Sequence, residues 1–265
     1  MNKWMFLALS FFSVFAFAAP EKIRIGTEWI LPYTGMAEMG RPTGYIYDIL
    51  EEIAKKYHYK FEYVEIPAMR QASSVQKNEI DYAILPGYVI RYLPNVDIVE
   101  TPFGVSYAGA LTMGKTRLES LYDLSDLAGK TIIFSYMGPE TDDFRESVQD
   151  ETQSGKKTEL VEISGADISQ RMILMMKTKR ADVALGDFNV LRYSAAQTKG
   201  TLVHVIPASF AGFGSVVMFS KKNKAGFRKL DKEVAEWFEN ARKSGRLKQI
   251  LKKYNLMDWE NLLPY

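Results

Sequence analysis

Two hydrophobic periods alternate along this chain. Lys22–Gly26, KIRIG, alternates polar and apolar residues and predicts a strand. Ile46, Ile49, Leu50, Ile53, Ala54 and Tyr57 recur at the helical spacing, so a helix is expected to open at Gly44-Tyr45. Asp48 falls in its first turn, where a carboxylate suits the helix dipole, and is read as structural. Phe61–Ile66 alternates again, and Pro67 ends it. Ala68–Lys77 predicts a second helix and Tyr82–Leu85 a short buried strand. Strand, helix, strand, helix, strand is the pattern of a doubly wound parallel α/β sheet.

The stretch Asn78–Arg91, NEIDYAILPGYVIR, has an echo about a hundred residues later in Lys179–Asn189, KRADVALGDFN. In each, an Asp precedes a short apolar strand that ends at Gly and a polar group. Ligands of open α/β sheets bind at the carboxyl edge of the strands. Two such edges, one carrying Arg91 and the other Asp187, predict two lobes facing each other across a cleft. Val105–Met113 and Phe213–Phe219 are long apolar strands without turn signals and are read as crossings between the lobes. The expected division is therefore residues 20–107 plus 215–265 for lobe 1 and 108–214 for an inserted lobe 2. Two strands in one hinge make closure a concerted bending.

The first nineteen residues read as a cleaved signal peptide. Lys3 supplies the positive charge, Met5–Phe17 is apolar but for Ser10 and Ser13, and Ala16-Phe17-Ala18 is a small-x-small cleavage site. That apolar run is shorter than the ~20 residues a membrane-spanning helix needs. The chain has no cysteine, which excludes disulfides, thiol catalysis and a lipid attachment point. A free periplasmic protein is expected. Without Lys3 the remaining chain carries 33 basic and 32 acidic residues, interspersed, so nothing argues for nucleic acid or an anionic membrane surface as a partner, and no nucleic acid is expected.

Little in the sequence points to catalysis. The two histidines, His58 and His204, stand far apart, and no G-x-S-x-G elbow, H-E-x-x-H helix or P-loop occurs. Gly212-Phe213-Gly214-Ser215 lacks the βαβ unit of a dinucleotide site, so no catalytic residue, metal or cofactor is expected. What stands out is one arginine and one aspartate at the two strand-end loops. An arginine holds a carboxylate bidentately and an aspartate holds an ammonium. Arg91 and Asp187 either grip the two ends of a zwitterion or are exposed loop charges. Trp29 and Tyr33 follow the first strand and either wall a pocket or cover the sheet edge. Arg70 is either a second cation for the cleft or a solvated helix residue. The loop Gly138, Pro139, Glu140 and Thr141, entering a helix from about Asp142, offers N–H donors to an anion.

From Ile23 to Tyr254 the chain resembles the bacterial extracellular solute-binding protein family 3, the polar amino-acid-binding components of ABC importers. The residues that carry the resemblance are Ile25-Gly26-Thr27-Glu28 with Pro32-Tyr33, Gly44-Tyr45 with Asp48, Glu79-Ile80-Asp81, Arg91, and Leu127-Ala128-Gly129-Lys130. Arg180-Ala181-Asp182-Val183 with Asp187, Ser244-Gly245-Arg246-Leu247 and Lys252-Lys253-Tyr254 complete it. The resemblance implies a type 2 periplasmic-binding-protein fold and a small-molecule ligand such as an amino acid. It implies a membrane permease as partner, and a monomer is expected. Carried across, Arg91 clamps the ligand carboxylate, Asp187 takes the α-amino group, Glu28 lies near the ligand, and Gly138–Thr141 faces an anion. Pro86, Gly87 and Tyr88, with Val89-Ile90, stand where the family has hydroxyl residues and a threonine. Trp29, Tyr33 and Tyr88 are expected to cover apolar parts of the ligand. Two alternatives use the same scaffold: an enzyme like the cyclohexadienyl dehydratases, and a binding protein serving a signalling partner.

Overall fold

A computed structural model describes residues 21–36, 40–90, 93–114, 118–135, 145–148, 158–164, 167–198, 203–208 and 213–260. Residues 1–19, where a signal peptide is expected, lie outside the described residues. Strand β1 (Glu21–Thr27) is followed by the short pair β2 (Gly35–Met36) and β3 (Pro42–Thr43). Helix α1 (Tyr45–Tyr57) comes next and buries Ile46, Ile49, Leu50 and Ile53, the stripe its periodicity predicts. Then come β4 (Tyr59–Glu65), α2 (Ala68–Gln76), β5 (Tyr82–Pro86), the one-turn α3 (Gly87–Ile90) and the short β6 (Val96–Ile98). Strands β4, β1 and β5 lie parallel in that order, the second, first and third strands of the unit.

The long strand β7 (Gly104–Met113) leads to β8 (Thr131–Ser135), β9 (Glu159–Ile163), α4 (Ile168–Lys177), β10 (Val183–Asp187), α5 (Phe188–Ala196) and β11 (Val203–Pro207). Strands β9, β8 and β10 repeat the parallel second-first-third order. The return strand is β12 (Phe213–Lys221), and α6 (Phe227–Lys243) and α7 (Arg246–Lys253) close the chain. Apolar clusters cover both faces of each sheet, which is the burial a doubly wound sheet requires. The α/β fold with two doubly wound lobes is the one the periodicity predicts.

β7 and β12 pair antiparallel only where they pass, from Phe213 opposite Tyr107 to Val216 opposite Gly104. Beyond that overlap β7 pairs with β10 and β11, and β12 with β5 and β6. Both strands therefore run from one half into the other. Gly104 sits at the overlap, where a Cβ would collide with the Tyr45 hydroxyl. Only glycine lets the crossing strand approach the first turn of α1 so closely.

The two echoing sequence stretches occupy equivalent places. Asn78 and Lys179 both adopt left-handed backbone, with φ of 57° each. Three residues on, the Asp81 carboxylate accepts the Arg24 N–H at 2.8 Å, and the Asp81 N–H donates to the Arg24 carbonyl at 2.8 Å. Asp182 does the same with Thr131, at 2.9 and 2.8 Å. Each aspartate thus fixes the register of the first and third strands of its half. Burial pushes the Asp81 carboxyl up, but the Arg24 N–H, Lys224 and the Arg24 guanidinium together bring it below the usual carboxylate range. Five residues after each aspartate the strand ends, at Pro86 in one half and at Asp187 in the other.

Some local expectations change. Pro86-Gly87 does not open an irregular loop, because Gly87–Ile90 closes one helical turn against β12. Val96–Ile98, the short β6, pairs with β12. Leu124–Leu127 forms a 3-10 turn capped by Asp123. Asp48 is structural, accepting from Lys253 Nζ at 2.9 Å and so tying α7 to α1. The helix expected from about Asp142 is described only at 145–148. Among the described residues no helix is long and apolar enough to cross a membrane.

Candidate functional site

The parallel strands β1 and β5 are in register through Ile25 opposite Tyr82 and Gly26 opposite Ala83, so Glu28 and Pro86-Gly87 emerge on one sheet edge. The loop after β1 is tightly built. Tyr33 and Thr34 N–H groups donate to the Ile30 carbonyl at 3.0 and 3.2 Å, and the Leu31–Pro32 peptide is cis. The Thr34 hydroxyl donates to the Glu28 carbonyl. The start of α1 holds the far side, with the Tyr45 and Ile46 N–H groups donating to the carbonyls of Pro32 and Tyr33 at 3.0 and 3.1 Å. Gly44 is needed there, since its φ is 120° and a Cβ would strike the Tyr33 carbonyl. The Tyr33 ring packs on Tyr45 with centroids 5.7 Å apart, which aims its hydroxyl at the crossing strand.

That hydroxyl reaches the other half. It lies 2.8 Å from the Val105 carbonyl and 2.9 Å from Asp187 Oδ2. Ser106 Oγ, on the crossing strand, donates to the same Oδ2 at 2.7 Å. Asp187 is also the N-cap of α5, its Oδ1 accepting the Val190 N–H at 2.9 Å. Buried Asn189 closes the network, with Nδ2 donating to the Tyr33 hydroxyl and the Val105 carbonyl at 3.1 Å each. Beside it Phe188 stacks on Tyr107 with centroids 4.8 Å apart.

Burial dominates the electrostatics. It raises the Asp187 carboxyl above the usual carboxylate range, although the Val190 N–H, Ser106 and Tyr33 favour the charged form. Burial and then the Asp187 charge raise the Tyr33 and Tyr45 phenols well above their ordinary value. Tyr107 is pushed up to about 12, by burial first and Asp187 second. Among the described residues, no lysine or arginine pairs with Asp187. A desolvated carboxylate held only by neutral donors is short of positive charge.

The remaining predicted residues fall into three groups. Glu28 is half-buried, and its carboxyl is raised by burial first, opposed by the Ala68 N–H, with Glu65 adding to the rise. Trp29 (46 % exposed) leaves the same loop, and Arg70 is exposed in the first turn of α2. These share the lobe 1 edge with half-buried Pro86 and Gly87, whereas the hydrogen bonds to the Asp187 side chain among the described residues come from Tyr33, Ser106 and the Val190 N–H. Tyr33 and Asp187 are brought together directly. Arg91, Gly138, Pro139, Glu140 and Thr141 lie outside the described residues, as does the side chain of Tyr88. Ser106, Asn189 and Tyr45 were not among the predicted site residues. The position of Asn189 two residues after the capping aspartate was a local signal. Nothing local marks Ser106, whose partner is 81 residues away.

Solved structures share this fold. An ancestral arginine-binding protein bound to arginine is 18% identical, with 90% of this chain and 100% of that one covered and a TM-score of 0.67. The chain carries the two-lobed fold of the type 2 periplasmic binding proteins. Residues 23–88 match the family model of bacterial extracellular solute-binding proteins, family 3, so β1 through β5 of this periplasmic-binding-protein fold are also recognisable by sequence. The substrate-binding protein of an ABC uptake transporter from Streptococcus pneumoniae, with bound histidine, is 17% identical over 88% of this chain and 92% of that one, with a TM-score of 0.68. An ancestral amino-acid-binding protein described as a precursor of cyclohexadienyl dehydratase is 16% identical over 88% and 94%, with a TM-score of 0.64. No curated protein matches the chain by sequence.

Proposed function

We propose that this protein is a periplasmic solute-binding protein that captures a small polar solute between its lobes and delivers it to the permease of an ABC importer. The solute is an amino acid or a related carboxylate. The observation that carries this reading is the Asp187 carboxylate, desolvated where the two halves meet and surrounded by neutral donors alone among the described residues. A ligand ammonium supplies the missing charge. The partial match to the extracellular solute-binding family and the ligands of the structural relatives support the same chemistry.

In this reading Arg91 holds the ligand carboxylate, with Arg70 as a second cation at the lobe 1 edge. Glu28 faces a polar or basic part of the solute, and Trp29, Tyr33 and Tyr88 cover its apolar part. Pro86-Gly87 and the loop Gly138, Pro139, Glu140 and Thr141 line the remaining walls. Residues 20–107 with 215–265, and residues 108–214, form the two closing bodies, exported by the leader 1–19 as a monomer. Calorimetric titration of the ligand-stripped protein with amino acids and organic acids tests it. Binding of at least one member is expected, and no binding across the panel sinks the reading.

One observation favours a second reading. Burial and Glu65 hold the Glu28 carboxyl above its usual range, which suits a proton donor on the lobe 1 edge. Disappearance of prephenate or arogenate in the presence of the protein would establish an enzyme like cyclohexadienyl dehydratase instead.

A further inference from the structure

The Asp187 carboxylate is unusually committed to its own chain. A carboxylate offers about four acceptor positions. The Val190 N–H fills one on Oδ1, and the Asn189 N–H also faces the carboxyl. The Ser106 and Tyr33 hydroxyls fill both positions on Oδ2, at 2.7 and 2.9 Å. The single Tyr33 proton has two acceptors in reach, the Val105 carbonyl and the Asp187 carboxylate, and an ionised carboxylate makes the stronger, charge-assisted bond. The Tyr33 proton therefore belongs to Asp187, and Asn189 supplies the hydrogen bond that the Tyr33 oxygen accepts. Oδ2 is saturated, and Oδ1 keeps at most one position.

We propose that Tyr33 is a positioning residue that sets specificity at Asp187, limiting the solute's nitrogen to a single hydrogen bond on Oδ1. This rests on the reading of Asp187 as the group that faces the ligand ammonium. A primary ammonium brings three N–H donors to a place that accepts one, so two must find other partners or stay unsatisfied. An N-alkylated ammonium brings the same charge with fewer donors to satisfy. The ligand class that fits is therefore one of N-substituted amino solutes, bound as well as their primary counterparts. Tyr33 acts through Asp187, and from the opposite lobe, so this selectivity exists only when the two halves are apposed as they are here.

The test compares the full chain with Tyr33→Phe and Ser106→Ala, each of which frees one position on Oδ2. L-Arginine, L-histidine and L-glutamine are titrated calorimetrically against their Nα,Nα-dimethyl derivatives. The unsubstituted protein is expected to treat each pair alike within about twofold, the size of ordinary non-additivity. Each variant is expected to shift preference toward the primary amine by about tenfold, one charge-assisted hydrogen bond regained. Comparing the ratio between proteins cancels the bulk of the methyl groups. A second readout needs no ligand: the Asp187 carboxyl carbon, followed by NMR through a pH titration, should titrate higher in Tyr33→Phe. An unchanged ratio in both variants overturns the specificity claim alone. An unmoved Asp187 titration overturns the hydrogen bond on which it stands. Binding of no probe by any of the three proteins overturns the ammonium reading, and the specificity claim falls with it.

Discussion

Replacing Asp187 with asparagine separates its two jobs. As an N-cap, asparagine is as good as aspartate, so the Val190 N–H keeps its acceptor and α5 its start. On the other oxygen, an amide nitrogen would now face the Tyr33 and Ser106 hydroxyls. Tyr33 can turn its proton to the Val105 carbonyl at 2.8 Å, so the loss falls on Ser106. One hydrogen bond to a charged acceptor is worth about 1.5–3 kcal/mol, and neutralising a desolvated carboxylate offsets much of it. The stability change should therefore stay within about 1 kcal/mol by urea denaturation. Binding should respond much more, because a buried ammonium then has no counter-charge. Such truncations cost about 2–5 kcal/mol, or about thirtyfold to several thousandfold in Kd. Calorimetry gives the affinity and denaturation the stability on the same sample. If Asp187→Asn left amine affinity unchanged while destabilising the protein by several kcal/mol, Asp187 would be a helix cap and nothing more.

Three other outcomes follow from the geometry. The raised Asp187 carboxyl makes ligand and fold respond oppositely to pH: its stability contribution is present below the ordinary carboxylate value and lost as pH rises through the raised one. Amine affinity should instead fall as pH drops through that raised value, and calorimetry across pH should show this slope vanish in Asp187→Asn. Gly104→Ala should destabilise by about 1–3 kcal/mol through overlap with the Tyr45 hydroxyl, and adding Tyr45→Phe should restore part of it in denaturant melts. Asp81→Asn should cost more stability at neutral pH than Asp182→Asn, since Asp81 also holds Lys224 at 2.9 Å and the Arg24 side chain at 3.3 Å. Asp81 should flatten the acid limb when replaced, because its lowered carboxyl contributes stability above the ordinary value that is lost as pH falls through the lowered one.

Most of the fold was legible because it is written in local periods. The stripe Ile46, Ile49, Leu50 and Ile53 specifies α1 by spacing alone, and the two aspartates at 81 and 182 mark equivalent strands because each caps its neighbour's backbone. The crossings were readable as apolar runs with no turn chemistry. The site was less so. Asp187 could be found at a strand end, but Tyr33 meets it across 154 residues and Ser106 across 81. Such pairings depend on how two lobes face each other, which no window of sequence contains. The same distance explains why aspartate and arginine looked like a simple pair of clamps: the intramolecular hydroxyls that fill one oxygen of the carboxylate are invisible until the halves are apposed.

A crystal structure of the protein with its co-purified solute retained would test the central claim most directly. The account predicts a solute nitrogen within hydrogen-bond distance of Asp187 Oδ1, with the Tyr33 and Ser106 hydroxyls still on Oδ2. Solute bound elsewhere, with Asp187 touching only its own chain, would contradict it.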